Sequence, residues 1–163
     1  QPVRKNNAHT MSSKVFCGIC GSRFTPYTWH STSKYYAKVW ECKNRMVVGR
    51  KCSAAHIYQD DLHDSIVSVL NSLIVNKKKL IENLERCLLE AVGVHWAAKS
   101  KIRCDKICEY INCLKLKENL IDEVDDDIFS GTVERITVSD SKLEYKLIFS
   151  DKSVEYKRTD RNC

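Results

Sequence analysis

The sequence predicts an α+β fold: a small cysteine-rich β-ribbon completed by C-terminal strands, with an inserted antiparallel coiled-coil helical hairpin. Three observations predict it. Short β-type stretches punctuated by glycines and cysteines fill the first third of the chain. A heptad-spaced apolar stripe then runs twice through the middle. Past residue 128 the apolar period falls to two.

The elements follow in order. Residues 1–13 are polar, basic and without periodicity, which reads as a linker from a missing N-terminal part; a chain opening on Gln1 reads as a fragment. Residues 14–58 form the ribbon, with strands over 14–17, 22–29 and 35–42 and a further candidate over 44–48. Residues 59–128 form the hairpin. Asp60 or Asp61 caps its first arm, and Ile66, Leu70, Leu73, Leu80, Leu84, Cys87 and Ala91 follow at steps of three and four, broken at Lys77. At ~1.5 Å per residue, that arm is roughly 45–50 Å long. Gly93 ends it. The second stripe runs from Trp96 through Ile107, Tyr110, Leu114, Ile121 and Val124, broken at Lys117. Residues 129–157 hold strands over 132–138, 143–149 and 153–157. Leu143, Tyr145, Leu147 and Phe149 share one face, which three short strands cannot bury alone and which must pack back on the ribbon. Residues 158–163 read as a disordered tail.

Charge divides the chain unevenly. Residues 1–52 carry ten Lys or Arg against one acid, Glu41, for a net of +9, whereas the rest carries 17 basic and 20 acidic residues. A positive field concentrated on so small a module suits a polyanion rather than a small-molecule substrate. No apolar run approaches the ~20 residues of a membrane helix, so no membrane partner is expected. Nine cysteines, an odd number with no secretory signal, point to a reduced cytoplasmic chain.

Four of those cysteines have metal-ligand spacing. Cys17-Gly-Ile-Cys20 is a tight knuckle, in which two intervening residues let both sulfurs face one ion. Cys42 follows after a hairpin-length gap, and Cys52 closes the set across a loop containing Gly49. Four thiolates suit one structural zinc ion with no open position for a substrate water. His56 is the rival for the fourth place. Without a metal, so small a basic module has almost no core to fold around. Cys104, Cys108 and Cys113 read as small core-facing hydrophobes rather than as a second site.

The order of motifs then resembles a known family. Cys17-Gly-Ile-Cys-Gly, Tyr27-Thr-Trp29, Val39-Trp-Glu-Cys42, Arg45, Gly49 and Cys52 lead into Ile57-Tyr-Gln-Asp-Asp-Leu62. Val133–Val138 and a Phe149-Ser-Asp-Lys-Ser turn follow. Together they resemble the C-terminal zinc-ribbon and coiled-coil region of the large serine recombinases, over roughly residues 10–157. The resemblance implies a ribbon that grips double-stranded DNA at an attachment site. It also implies a coiled coil that touches other recombinase subunits and controls synapsis. The catalytic serine lies in a separate domain that no part of this chain resembles, so no catalytic residue is assigned and no enzymatic activity is expected of this chain alone.

On that reading, Arg23, Thr25, Trp29, His30 and Arg45 are the candidates for base or groove contacts. Lys34, Lys38, Lys43, Arg50 and Lys51 are the candidates for phosphate. At the hairpin turn, Trp96 either packs down onto the first arm or joins Val92 and Val94 in an apolar patch for another subunit. The competing class is a stand-alone zinc-ribbon and coiled-coil adaptor for protein interaction, and an RNA-binding ribbon is the third.

Overall fold

The computed structural model describes residues 8–45, 47, 49, 52–92, 98–150, 152–158 and also Lys51. The chain forms two units, one from residues 1–65 and 133–163, the other from residues 66–132.

In the first unit, α1 (Ala8–Ser12) precedes β1 (Val15–Cys17), β2 (Phe24–Trp29), β3 (Ala37–Cys42), a single 3₁₀ turn over Lys43–Arg45, and β4 (Ile57–Tyr58). The chain returns to this unit in β5 (Val133–Val138), β6 (Lys142–Leu147) and β7 (Ser153–Lys157). Two sheets result, in the orders β2-β3-β4 and β1-β5-β6-β7. The C-terminal strands thus complete the ribbon through β1 rather than by extending its hairpin sheet. β1 lies parallel to β5, with Val15 opposite Ile136 and Cys17 opposite Val138. A parallel pair needs a long crossover, and the whole second unit lies between these two strands in sequence.

Alternation decides what this sheet buries. Leu143, Tyr145 and Leu147 point inward as predicted and join Val15, Ile136 and Val138 in the core. Tyr145 is fully buried, and its hydroxyl shares a 2.5 Å hydrogen bond with Ser65 Oγ. Residues 8–12 and Arg158 differ from the sequence expectation, and the rest of the expected tail lies outside the described residues. Residues 8–12 are helical, and Met11 is buried at 1 % exposure because it supplies apolar volume that the polar stretch around it conceals. Arg158 is not loose, as its guanidinium donates to Ser139 O and His56 O. The candidate strand over 44–48 is replaced at its start by the 3₁₀ turn.

The second unit takes in the later part of α2 (Gln59–Val75), α3 (Lys77–Val92), α4 (Ala98–Leu116) and α5 (Asp126–Thr132). Ile66, Val69, Leu70, Ile74 and Leu84 are buried, as are Ile107, Tyr110, Ile111 and Leu114, at the spacing of paired apolar stripes. α3 packs on α4, and the Lys115–Glu85 ion pair at 2.7 Å bridges them.

The first arm is two helices rather than one. The break falls at Asn76, whose side chain donates to Ser72 O at 2.7 Å and so competes with the backbone ladder. The second arm stops at Leu116, and Ile121 and Val124 lie in a non-helical segment. That segment is held by Asn71, which both donates to Ile121 O and accepts from Ile121 N–H at 2.9 Å, as a second strand would. Asp125 then caps α5 by accepting from Ile128 N–H at 3.1 Å, and it pairs with Lys117 at 2.6 Å. Cys87 and Cys108 are exposed, so neither is a core residue.

Candidate metal centre and nucleic-acid interface

The backbone builds the first knuckle by closing a turn over β1. Cys17 N–H donates to Ser22 O at 2.7 Å, Gly21 N–H donates back to Cys17 O at 2.9 Å, and Gly21 takes the left-handed φ of 70° that the reversal requires. Gly18 N–H donates to Val138 O at 2.8 Å, which fastens the knuckle to β5. Cys42 ends β3, and the next residue, Lys43, donates its N–H to Arg23 O at 2.9 Å.

Cys52 comes from the loop before β4, and three successive residues anchor that loop. Arg45 Nη1 donates to Ala54 O at 2.9 Å, Ala55 N–H donates to Asp140 Oδ1 at 3.2 Å, and Arg158 Nη2 donates to His56 O at 2.7 Å. The fourth thiol is therefore positioned from the 3₁₀ turn, the β5–β6 turn and the end of β7. Sequence reasoning missed Asp140 and Arg158, which lie some hundred residues downstream with no motif around them.

These elements bring Cys17, Cys20, Cys42 and Cys52 together, with all four sulfurs within 4.8 Å of one another. Cys20 Sγ is 3.3 Å from Cys42 Sγ, and Cys17 Sγ is 3.6 Å from Cys52 Sγ. A tetrahedral zinc with Zn–S near 2.3 Å needs sulfurs about 3.8 Å apart, so the donor set fits such an ion. Ile19 N–H points at Cys17 Sγ at 3.4 Å, and Asn44 Nδ2 at Cys20 Sγ at 3.6 Å, as donors do around thiolates. The Ser22 N–H holds the exposed Cys20 thiol down at about 7, whereas burial pushes Cys42 up to about 12 and also raises Cys17. A bound cation favours all four as thiolates, and protons leave as it binds.

His56 is elsewhere. Its ring lies 4.5 Å from the Trp29 ring and edge-on to Tyr58. Burial, with Arg45 and Arg158 nearby, lowers its pKa. Among the described residues the four cysteines form the only cluster with metal-ligand geometry.

The predicted DNA contacts divide into two sets. Arg23, His30, Lys34, Lys38, Lys43 and Lys51 are exposed. His30 takes a positive φ of 51° at the start of the β2–β3 turn. Lys34 Nζ lies 5.1 Å from the centre of the Tyr35 ring. Two candidates have partners within the protein: the Trp29 ring lies against His56, and Arg45, though exposed, donates to Ala54 O; the Thr25 hydroxyl is buried without a hydrogen-bond partner. Thr25, half-buried, pairs across the strands with Glu41, which is buried. Arg50 lies outside the described residues. Val94 and Trp96 also lie outside them, and Val92 is placed only as the last residue of α3.

The family model of the recombinase zinc beta ribbon domain matches residues 11–71. No curated protein matches the chain. Among solved structures, the chain is similar to one in "Crystal Structure of a LSR-DNA Complex", where LSR denotes a large serine recombinase. The two are 15 % identical with a TM-score of 0.52, and the match covers 90 % of this chain and 57 % of that one. The likeness is one of fold, and this chain spans little more than half of the solved chain's length.

Proposed function

We propose that the chain is the DNA-binding C-terminal module of a site-specific serine recombinase. Its ribbon grips the attachment site, and its helical unit contacts other subunits during synapsis. The observation that carries this reading is the sign of the ribbon surface. Glu41 is the sole acid among residues 1–59 and is only 4 % exposed, so within that stretch Arg23, Lys34, Lys38, Lys43 and Lys51 are exposed and no carboxylate is; the acid beside them is Asp60, which lines a recess with Lys38. The recombinase ribbon match over the same residues supports it.

Cys17, Cys20, Cys42 and Cys52 would hold one zinc ion, which supplies folding free energy and no reaction chemistry. Strand cleavage then falls to another part of the recombinase. Leu89 and Ile102, near the ends of α3 and α4 that face the hairpin turn, are 75 % and 59 % exposed, which supports an apolar subunit contact there.

Affinity for an attachment-site duplex, measured against salt, tests the reading. Five phosphate contacts predict a log–log slope of about −4 to −5, and Lys34→Ala with Lys38→Ala should make it shallower by about 2. A flat salt dependence, or equal affinity for any duplex, favours the adaptor instead.

A further inference from the structure

β4 has only two residues, pairing with Val39 and Trp40 alone before the chain turns into α2 at Gln59. β3 therefore runs on past its partner. Beside its unshared edge lies a recess of about 500 Å³ lined by Tyr36, Ala37, Lys38, Tyr58, Gln59 and Asp60. Its volume is within the range of small-ligand clefts, roughly 300–1,000 Å³.

The lining is chemically mixed. Tyr36 is 52 % exposed, and its neighbour Tyr35 is 67 % exposed. Tyr35 meets His30 and Lys34, and the Tyr36 ring stands at the recess. Lys38 contributes an ammonium, Gln59 an amide, and Asp60 a carboxylate from the first turn of α2.

We propose that this recess receives one nucleobase edge of the bound DNA, and that Asp60 makes the contact base-selective. The proposal rests on the DNA-binding reading above and deepens it. A phosphate alone fits poorly because Asp60 would repel it. A base with a hydrogen-bond donor on its exposed edge fits: the carboxylate accepts from an exocyclic amino group, and cytosine presents such a donor in the major groove. Tyr36 offers a ring face, and Lys38 offers its charge to the flanking phosphate.

The test selects binding sites from a randomised duplex pool with the wild-type chain, Asp60→Asn and Tyr36→Ala. The wild type should enrich an amino-bearing base at one position. Asp60→Asn keeps the residue's size and one acceptor oxygen but adds an amide donor, so it should redirect that preference from cytosine toward adenine, whose N6/N7 edge an amide pairs bidentately, and leave other positions unchanged. Tyr36→Ala should weaken binding roughly five-fold or more and flatten the same position. An unchanged preference in Asp60→Asn overturns the recess while leaving the DNA-binding reading intact. A wild-type chain without duplex affinity overturns both. Should Asp60→Asn lose helix by circular dichroism, Tyr36→Ala decides alone, since it alters an exposed rim: a preference that survives it sinks the proposal.

Discussion

Replacing Gly18 by alanine isolates the join between the metal knuckle and the C-terminal sheet. A Cβ at Gly18 would sit 2.5 Å from Ser139 Oγ and 3.1 Å from Val138 O. The hydroxyl can rotate away, but the carbonyl belongs to β5 and cannot move without disturbing its pairing with β1 and β6. The Gly18 N–H bond to Val138 O, at 2.8 Å, then lengthens or breaks. Overpacking costs about 1–3 kcal/mol and the hydrogen bond about 0.5–1.5 kcal/mol, for a destabilisation of about 2–4 kcal/mol. In a unit of roughly a hundred residues, that lowers Tm by roughly 10–20 °C.

The same strain should appear in metal affinity, because Gly18 separates Cys17 from Cys20 in the knuckle. If half of the strain is relieved by releasing the ion, competition against a chromogenic chelator should show zinc held roughly 5- to 30-fold more weakly, with 1.4 kcal/mol taken as ten-fold. Adding Ser139→Ala removes the 2.5 Å contact and leaves the 3.1 Å one, so recovery should be partial. The reasoning is refuted if Gly18→Ala melts and binds zinc like the wild type. Full recovery in the double variant would show that the carbonyl contact is harmless.

Two further outcomes are expected. Cys42→Ser removes a buried ligand of the four-sulfur cluster, so the first unit should lose its cooperative melt and the chain its DNA affinity, while α-helical ellipticity largely persists; DNA binding by a zinc-free Cys42→Ser chain would count against the metal's role. Burial pushes the Asp125 carboxyl up, but Lys117 and the N–H groups of Ile128 and Asp127 outweigh it and hold the group below its ordinary value. Its contribution is therefore complete above the unfolded value near pH 4 and is lost as pH falls through the lower folded value. Urea titrations from pH 6 to pH 3 should show a steeper loss in the wild type than in Asp125→Asn, which keeps the capping oxygen but cannot titrate; parallel curves would exclude this.

Local signals were legible and long-range ones were not. The two-residue knuckle and the hairpin-length gap to Cys42 were enough to place the four thiols in one set, because ligand spacing is written in consecutive residues. The period-two pattern of Leu143, Tyr145 and Leu147 gave the buried face directly. The ribbon is the expected partner of that face, but the strand that pairs with β5 is not legible, since register between β1 and β5 is set across the whole helical unit and leaves no local trace. Lys77 and Lys117 marked interruptions in the stripes, yet whether a lysine bends a seam or ends a helix depends on Asn76 and Asn71, whose side chains replace backbone bonds. Among the DNA candidates, charge marks which residues are basic and exposed. It does not reveal that Arg45, exposed like Arg23, also donates to the Ala54 carbonyl.

Cys17 occupies two positions at once: it is a ligand of the four-thiol cluster and the last residue of β1, opposite Val138. Metal binding and C-terminal strand pairing therefore act on one short stretch of backbone. β1 has three residues and cannot hold its register by itself. A zinc ion on Cys17 would fix one end of it, and β5 fixes its length. Whatever free energy zinc contributes to the pairing of β1 with β5, that pairing returns to zinc affinity, because coupling between two binding equilibria is reciprocal. The ribbon is accordingly complete only when the chain has passed through the helical unit and come back.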